Sequence, residues 1–440
     1  MKMSESDDQL SLLGEHPELA YLPSAKVKGK DKAGVHGWTN FYASFSEKFV
    51  DSALSAMGVS DGEVIFDPFV GSGTTLVVAL KRGLPAIGVD LDPFACLLAR
   101  AKVAINADSQ EVSKILGSTS RKAILPTFLD DAVNLFDQEC LVYASSVFQK
   151  LASRLGEKRE NVLSKILSDR FGRFDSEAVA LAALCIAAPR SAKVIRGSNP
   201  TWYRRAQKGE EGLFERLQGA TKSLSVVMLR DLEGLALLSG KRDILVVNAD
   251  CSADEIQAPN LIRADVIVTS PPYLTRLDYV VKHLPNLLLL SGLFPVDIND
   301  LRKKMIGTPK IVDKGDVSVQ WGRECLRVID EIRGHQSYAS DSYYVWTYYQ
   351  YFKSAYQSLK NLRDISSNAG RGVLVVQDSY YKNLRIPLSD IMAEMLVGLS
   401  FSAKVVKKDV VGSHMKYISP RQQENAKNKK LSEDVVYFHT

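Results

Sequence analysis

Between residues 63 and 82 a short apolar run (EVIFD, 63–67) ends in Asp-Pro and passes through a glycine-rich turn into a helical stretch beginning near Thr74. A run that is apolar at nearly every position is a strand buried on both faces, and such strands need helices packed above and below them. The pattern recurs. AIGVD (86–90) leads to Asp92-Pro93, an N-cap followed by proline at the first helical position, and a helix to about Val103. Further strands are expected at 244–247 (ILVV), 266–269 (VIVT), 373–377 (VLVVQ), 403–407 and 434–438 (DVVYF). Repeated strand–helix alternation predicts an α/β fold: a parallel sheet covered on both faces. Residues 107–240 break the rhythm and read as helices without clear strands. Residues 295–340 break it again, and both stretches read as insertions. The expected organisation is a tail at 1–35, a first core part at 36–106, a helical insertion at 107–240 and a second core part at 241–440.

Bulk properties narrow the setting. The chain has 440 residues, 45% hydrophobic and 24% charged, with a formal net charge of +5. This mild basicity is compatible with a nucleic-acid partner and with many others. Five cysteines (96, 140, 185, 251, 325) are scattered, with no CxxC pair. A disulfide framework or zinc site is not expected, and a reducing cytoplasm is the natural setting. Residues 1–13 are polar and acidic, unlike a secretory leader. The most apolar stretch, 178–188, is too short to span a bilayer and reads as a buried helix. Neither membrane nor metal is expected to be involved.

The turn itself is Asp67-Pro68-Phe69-Val70-Gly71-Ser72-Gly73-Thr74-Thr75. Its glycines permit a tight turn and close backbone approach by a ligand at a strand's carboxyl end. No lysine follows to reach phosphates, and Leu76 stands where a dinucleotide fingerprint has its third glycine. Asp90 ends the next strand, where an acid can accept hydrogen bonds from two ribose hydroxyls; a capping or solvated role is the alternative. Asp250, after the 244–248 run, could accept from an adenine amino group or be a loop residue.

Ser270-Pro271-Pro272-Tyr273 follows the run at 266–269. Two prolines cannot continue a sheet ladder, so the chain leaves the sheet rigid and extended, presenting an aromatic ring. An aromatic amino group is a weak nucleophile because its lone pair is delocalised into the ring. A hydroxyl (Ser270) and a backbone carbonyl (Pro271) accepting its two N–H bonds would localise that pair, while Tyr273 stacks on the base. A base inside a duplex must be flipped out to reach such a pocket.

With DPFVGSGTT (67–75) and SPPY (270–273) on the page, the chain resembles the amino-methyltransferases of DNA modification systems. The resemblance covers roughly 36–106 and 243–292, and more loosely 343–440. It implies a seven-stranded, Rossmann-like methyltransferase sheet and S-adenosylmethionine as donor. The implied cofactor contacts are Asp67, Pro68, Phe69, Gly71, Ser72, Gly73, Thr74, Asp90 and Asp250. The aromatic segment 36–49 adds Tyr42 and Ser44. In this family the serine form of the catalytic tetrapeptide goes mostly with cytosine N4 and the aspartate form with adenine N6. Methylation at cytosine C5 is disfavoured, because it needs a nucleophilic thiol, typically in a Pro-Cys pair, and no such pair occurs.

For DNA, residues 190–208 carry six basic side chains and no acid, with Arg196, Asn199, Trp202, Arg204 and Arg205 the expected contacts. A solvated basic surface is the alternative reading. Arg276 could meet phosphate and Asp278 could orient the base, or both could simply begin a helix running to Leu293. The aromatic-rich helix expected at 343–362 fits core packing better than base stacking. A lysine-rich loop at 416–430 is either a phosphate contact or a solubilising surface. Duplex DNA and, alongside it, a cognate restriction endonuclease are the expected partners. Cytosine N4 in DNA is the expected target, with adenine N6 the close rival; RNA or protein amino-methylation, and a non-catalytic binding module on a decayed fold, are the other readings.

Overall fold

The computed structural model describes residues 17–27, 29–41, 45–117, 128–196, 203–205, 211–240, 243–254, 263–274, 278–411 and 431–440. In chain order their strands are β1 (Ile65–Asp67), β2 (Ala86–Asp90), β3 (Val194–Arg196), β4 (Tyr203–Arg205), β5 (Ile244–Asn248), β6 (Ala264–Thr269), β7 (Ser366–Gln377), β8 (Ser379–Tyr381), β9 (Leu384–Ile386), β10 (Ser402–Val411) and β11 (Leu431–His439). Seven of them form one sheet in the order β10-β11-β7-β6-β1-β2-β5. Each of the seven apolar runs read from the sequence lies on one of these strands. β5, β2, β1, β6 and β7 pair in parallel, while β11 runs antiparallel to both β7 and β10. This is the seven-stranded sheet the resemblance implied.

The order matters more than the count. From β1 the chain steps to β2 and β5 on one side, then returns to lay β6 and β7 on the other. The strand order therefore reverses between β1 and β6, which are hydrogen-bonded neighbours through Ile65–Val266 and Phe66–Ile267. Loops leaving such a pair diverge, and the crevice between them is where open α/β sheets bind ligands. The glycine turn leaves β1 at this point, and the double-proline segment leaves β6.

Period-two alternation divides the side chains between two cores. Ile65, Val266, Val268, Val373 and Val375 point into one; Phe66, Ile267, Leu374 and Val376 point into the other. The first core is closed by the helices Glu47–Ala56, Thr74–Lys81 and Pro93–Lys102, and the second by Arg323–Arg333, Val345–Ile365 and Leu388–Gly398. The helices within 107–240 join the first core. Asp175–Ala187 is buried along its whole length. Beside it, fully buried Arg100 pairs with Asp169 (2.9 Å) and Asp175 (2.8 Å) and donates Nε–H to the Ile166 carbonyl (3.0 Å).

Local differences from the sequence reading have local causes. The 107–240 segment contains the antiparallel pair β3–β4 as well as helices. Val194 and Ile195 are β-branched, which suits them to a strand. The helix expected to run to Leu293 is two pieces, Tyr279–Lys282 and Leu284–Leu290, broken at His283. Pro285 lacks an N–H and opens the second piece. Val345–Ile365 is preceded by a π-helical turn, Ser340–Tyr344, and its Tyr348, Tyr351 and Phe352 are buried. Within 295–340, Arg323–Arg333 buries Cys325, Val328, Ile329 and Ile332 against the second core. Among the described residues no helix is long and apolar enough to cross a membrane.

Candidate active site

The glycine turn is held by its own backbone and by two aspartates. Gly71 and Gly73 have φ of +47° and +81°. A Cβ on Gly73 would stand 2.8 Å from the Ala99 Cα, and one on Gly71 would stand 3.1 Å from the Phe41 ring. Glycine is therefore required at both positions, once for packing against the neighbouring helix and once for a cradle over the sheet edge. Asp67, at the end of β1, lies beneath the turn. It accepts from Thr75 Oγ1 (2.7 Å), Thr269 Oγ1 (2.7 Å) and the Phe69 amide (3.2 Å). Thr269 ends β6, so this one carboxylate ties the roots of the two loops together. Burial raises its pKa from 3.8 to about 6, against the pull of these three donors.

Above the roots lies an open cleft of about 690 Å³, solvent space included. Of the residues singled out in the sequence, Pro68, Phe69, Gly71, Asp90, Asp250, Ser270, Pro271 and Pro272 line it. Ser72 and Thr74 line an adjoining recess with Gly71 and Ser270. Gly73 serves as the N-cap of Thr74–Lys81. Asp67 does not line the cleft, and neither does Tyr273.

The acids are arranged for different work. Asp90 accepts one backbone N–H on each oxygen, from Gly71 (2.9 Å) and Asp92 (2.9 Å), leaving each oxygen able to accept another. Burial, then the neighbouring Asp92 carboxylate, raise its pKa from 3.8 to about 7. Asp92 caps the helix Pro93–Lys102 through Phe94 and Ala95. Asp250 Oδ1 takes the Ser252 amide (2.8 Å) and hydroxyl (2.7 Å). Asp278 caps Tyr279–Lys282 and binds Arg302 through Oδ2 at 2.8 and 2.7 Å, which gives its carboxylate a structural load. The Cys251 thiol also lines the cleft, but burial pushes its pKa well above 9.0 and it donates to the Pro68 carbonyl.

On the double-proline side, Ser270 Oγ and the Pro271 carbonyl carry no hydrogen bond among the described residues. The Pro272 carbonyl is taken by the Tyr351 hydroxyl at 3.0 Å. Tyr351 is buried, and it braces the segment from the long helix beneath. Sequence reading missed this brace, and it missed His283, Lys304, Met305 and Ile306, which also line the cleft. None of these carries a local motif; each is brought in by packing. The only sequence trace of His283 is the Pro285 two residues on.

Of the expected DNA contacts, Arg196, Arg204 and Arg205 fall on β3–β4. Asn199, Trp202, Arg276, the 416–430 loop and the proposed cofactor contacts Tyr42 and Ser44 lie outside the described residues. Among the described residues no cluster of three or more His, Cys, Asp or Glu side chains could hold a metal ion.

Residues 17–101, which contain the glycine turn and the Asp90 strand, match the family model described as DNA methylase. This first part of the chain is similar to the DNA methylase family. The chain is 38% identical over 101 residues to the type II methyltransferase M.MjaII of Methanocaldococcus jannaschii, covering 22% of this chain and 18% of that one. To the type II methyltransferase M.BsoBI of Geobacillus stearothermophilus it is 24% identical over 296 residues, covering 62% and 55%. The chain thus spans less than two thirds of the length of these relatives. A solved rRNA methyltransferase, AviRa from Streptomyces viridochromogenes, aligns over 94% of this chain and 93% of its own at 11% identity, with a TM-score of 0.34, too loosely to bear on fold or substrate.

Proposed function

We propose that this protein transfers the methyl group of S-adenosylmethionine to the exocyclic N4 amino group of a cytosine flipped out of duplex DNA. One observation carries the reading. The glycine turn after β1 and the Ser-Pro-Pro segment after β6 open into a single cleft at the point of strand reversal.

The residues fit the donor. Gly71 leaves a cradle that a Cβ would fill, Phe69 and Pro68 supply apolar wall, and Asp90 offers acceptor capacity on both carboxylate oxygens. When bound there, S-adenosylmethionine supplies a methyl group already activated by its sulfonium. Asp90 would hold the ribose hydroxyls, Asp250 the adenine amino group, and the Gly71-Ser72-Gly73 backbone the remainder. The rest of the chemistry belongs to the chain's own residues. Ser270 Oγ and the Pro271 carbonyl accept the two N–H bonds of the target amino group and turn its lone pair out of the ring. The nitrogen held by Ser270 and Pro271 would take the methyl group that S-adenosylmethionine supplies, the sulfur keeping the bond pair, and would give up one proton by way of the Ser270 hydroxyl to solvent. Catalysis of this kind is mainly positioning, which places the weight on the rigidity of the segment. Tyr273 would stack on the base. The basic segment carrying Arg196, Asn199, Trp202, Arg204 and Arg205, with Arg276, would hold the duplex, with a restriction endonuclease cutting the same sequence when unmodified.

The test is incorporation of labelled methyl into duplex DNA, transfer RNA and total protein, by wild type and Ser270→Ala. Label in duplex DNA, lost on Ser270→Ala with cofactor affinity retained, supports the reading. Label in RNA or protein, or full activity of Ser270→Ala, overturns it.

A further inference from the structure

We propose that His283 is a cofactor-binding residue that accepts a hydrogen bond from a ribose hydroxyl through Nε2, in a tautomer fixed by Asp92. The proposal rests on the assignment of the cleft to S-adenosylmethionine.

His283 sits at the break between Tyr279–Lys282 and Leu284–Leu290 and lines the cleft. Its ring is held between Phe41 and Phe94, at centroid distances of 5.1 and 5.2 Å. Nδ1 lies 2.6 Å from Asp92 Oδ2, while Asp92 Oδ1 is committed to the helix N-terminus through Phe94 and Ala95. A carboxylate can only accept, so in the neutral imidazole the proton is on Nδ1 and Nε2 is left as a bare acceptor. No group among the described residues bonds to Nε2, and His283 lines the cleft.

Its placement indicates which donor it meets. Asp92 donates its own amide to Asp90 and holds His283 with its side chain. One residue therefore sets both acceptors on the wall beside β2. A vicinal diol brings two donors, and this wall offers a carboxylate and an imidazole nitrogen to receive them. The imidazole adds a shape requirement that a lone carboxylate lacks, because its acceptor is single and directional.

The experiment is calorimetric binding of S-adenosylhomocysteine and its 2′-deoxy and 3′-deoxy analogues to the full chain. The variants are His283→Asn, which keeps a donor for Asp92 and lacks the Nε2 acceptor, and His283→Gln, which can place an acceptor near the Nε2 position. His283→Asn should weaken binding of the parent roughly five- to tenfold, with one deoxy analogue unaffected and His283→Gln largely restored. Equal binding by wild type and His283→Asn, or an equal loss against every analogue, overturns the proposal and leaves the cofactor assignment standing. Failure of wild type to bind S-adenosylhomocysteine overturns both. Independently of any variant, nitrogen-15 NMR of histidine-labelled wild-type protein should show the Nδ1–H tautomer at His283; an Nε2–H tautomer contradicts the proposal.

Discussion

Cofactor affinity should depend on pH through Asp90, and the size of the effect follows from where this carboxyl sits. Its pKa is raised from 3.8 to about 7 by burial and by the adjacent Asp92 carboxylate, with the amides of Gly71 and Asp92 opposing. In the empty protein the folded chain holds this proton more tightly than the unfolded chain does. Stability from this group is thus full below about pH 4 and declines as pH rises towards 7. The gap of about three pH units corresponds to a cost on the order of 4 kcal/mol for ionising the empty site. A diol can donate two hydrogen bonds to the ionised form and not to the protonated one. If the ionised form is the competent one, the apparent Kd weakens roughly tenfold from pH 8 to pH 6. Titration calorimetry with S-adenosylhomocysteine at pH 6, 7 and 8 measures this. Repeating the pH 6 titration in buffers of different ionisation enthalpy should reveal release of close to one proton per ligand. Asp90→Asn, uncharged throughout, should bind more weakly at pH 8 and lose the dependence. A flat wild-type profile, or an Asp90→Asn profile as steep as wild type, would refute the reasoning.

Three further outcomes test the supports of the site. Tyr351→Phe frees the Pro272 carbonyl from its 3.0 Å hydrogen bond; kcat should fall by about an order of magnitude with cofactor Kd unchanged, in steady-state and binding assays run side by side. Gly73→Ala combines left-handed backbone strain with a 2.8 Å approach to Ala99, and chemical denaturation should show a loss of about 2–5 kcal/mol. Arg100→Met removes the buried cation that Asp169 and Asp175 share; a loss of about 3–5 kcal/mol is expected, with the helical segment and the sheet unfolding in one transition.

The sheet was legible because its central strands are apolar on both faces and punctuated by Asp-Pro, Gly-Ser-Gly and Pro-Pro. Those short sequences stop ladders and start turns whatever the rest of the chain does. The cleft was legible for the same reason, since both loops declare themselves within a few residues. What escaped is long-range. Tyr351 reaches Pro272 across 79 positions and His283 reaches Asp92 across 191, and neither separation leaves a local pattern. Asp67 read as a ligand contact because it begins the turn; a strand's last side chain can instead point beneath the loop, and here it knots β1 to β6 through two threonines. The β3–β4 pair escaped because two three-residue strands are shorter than any reliable alternation.

The central claim is most directly tested by nucleoside mass spectrometry of duplex DNA after incubation with purified protein and S-adenosylmethionine carrying a labelled methyl group. The account predicts labelled N4-methylcytosine, absent with Ser270→Ala. Labelled N6-methyladenine would contradict the choice of target base, and DNA without label would contradict the claim that the two loops form a DNA amino-methylating site.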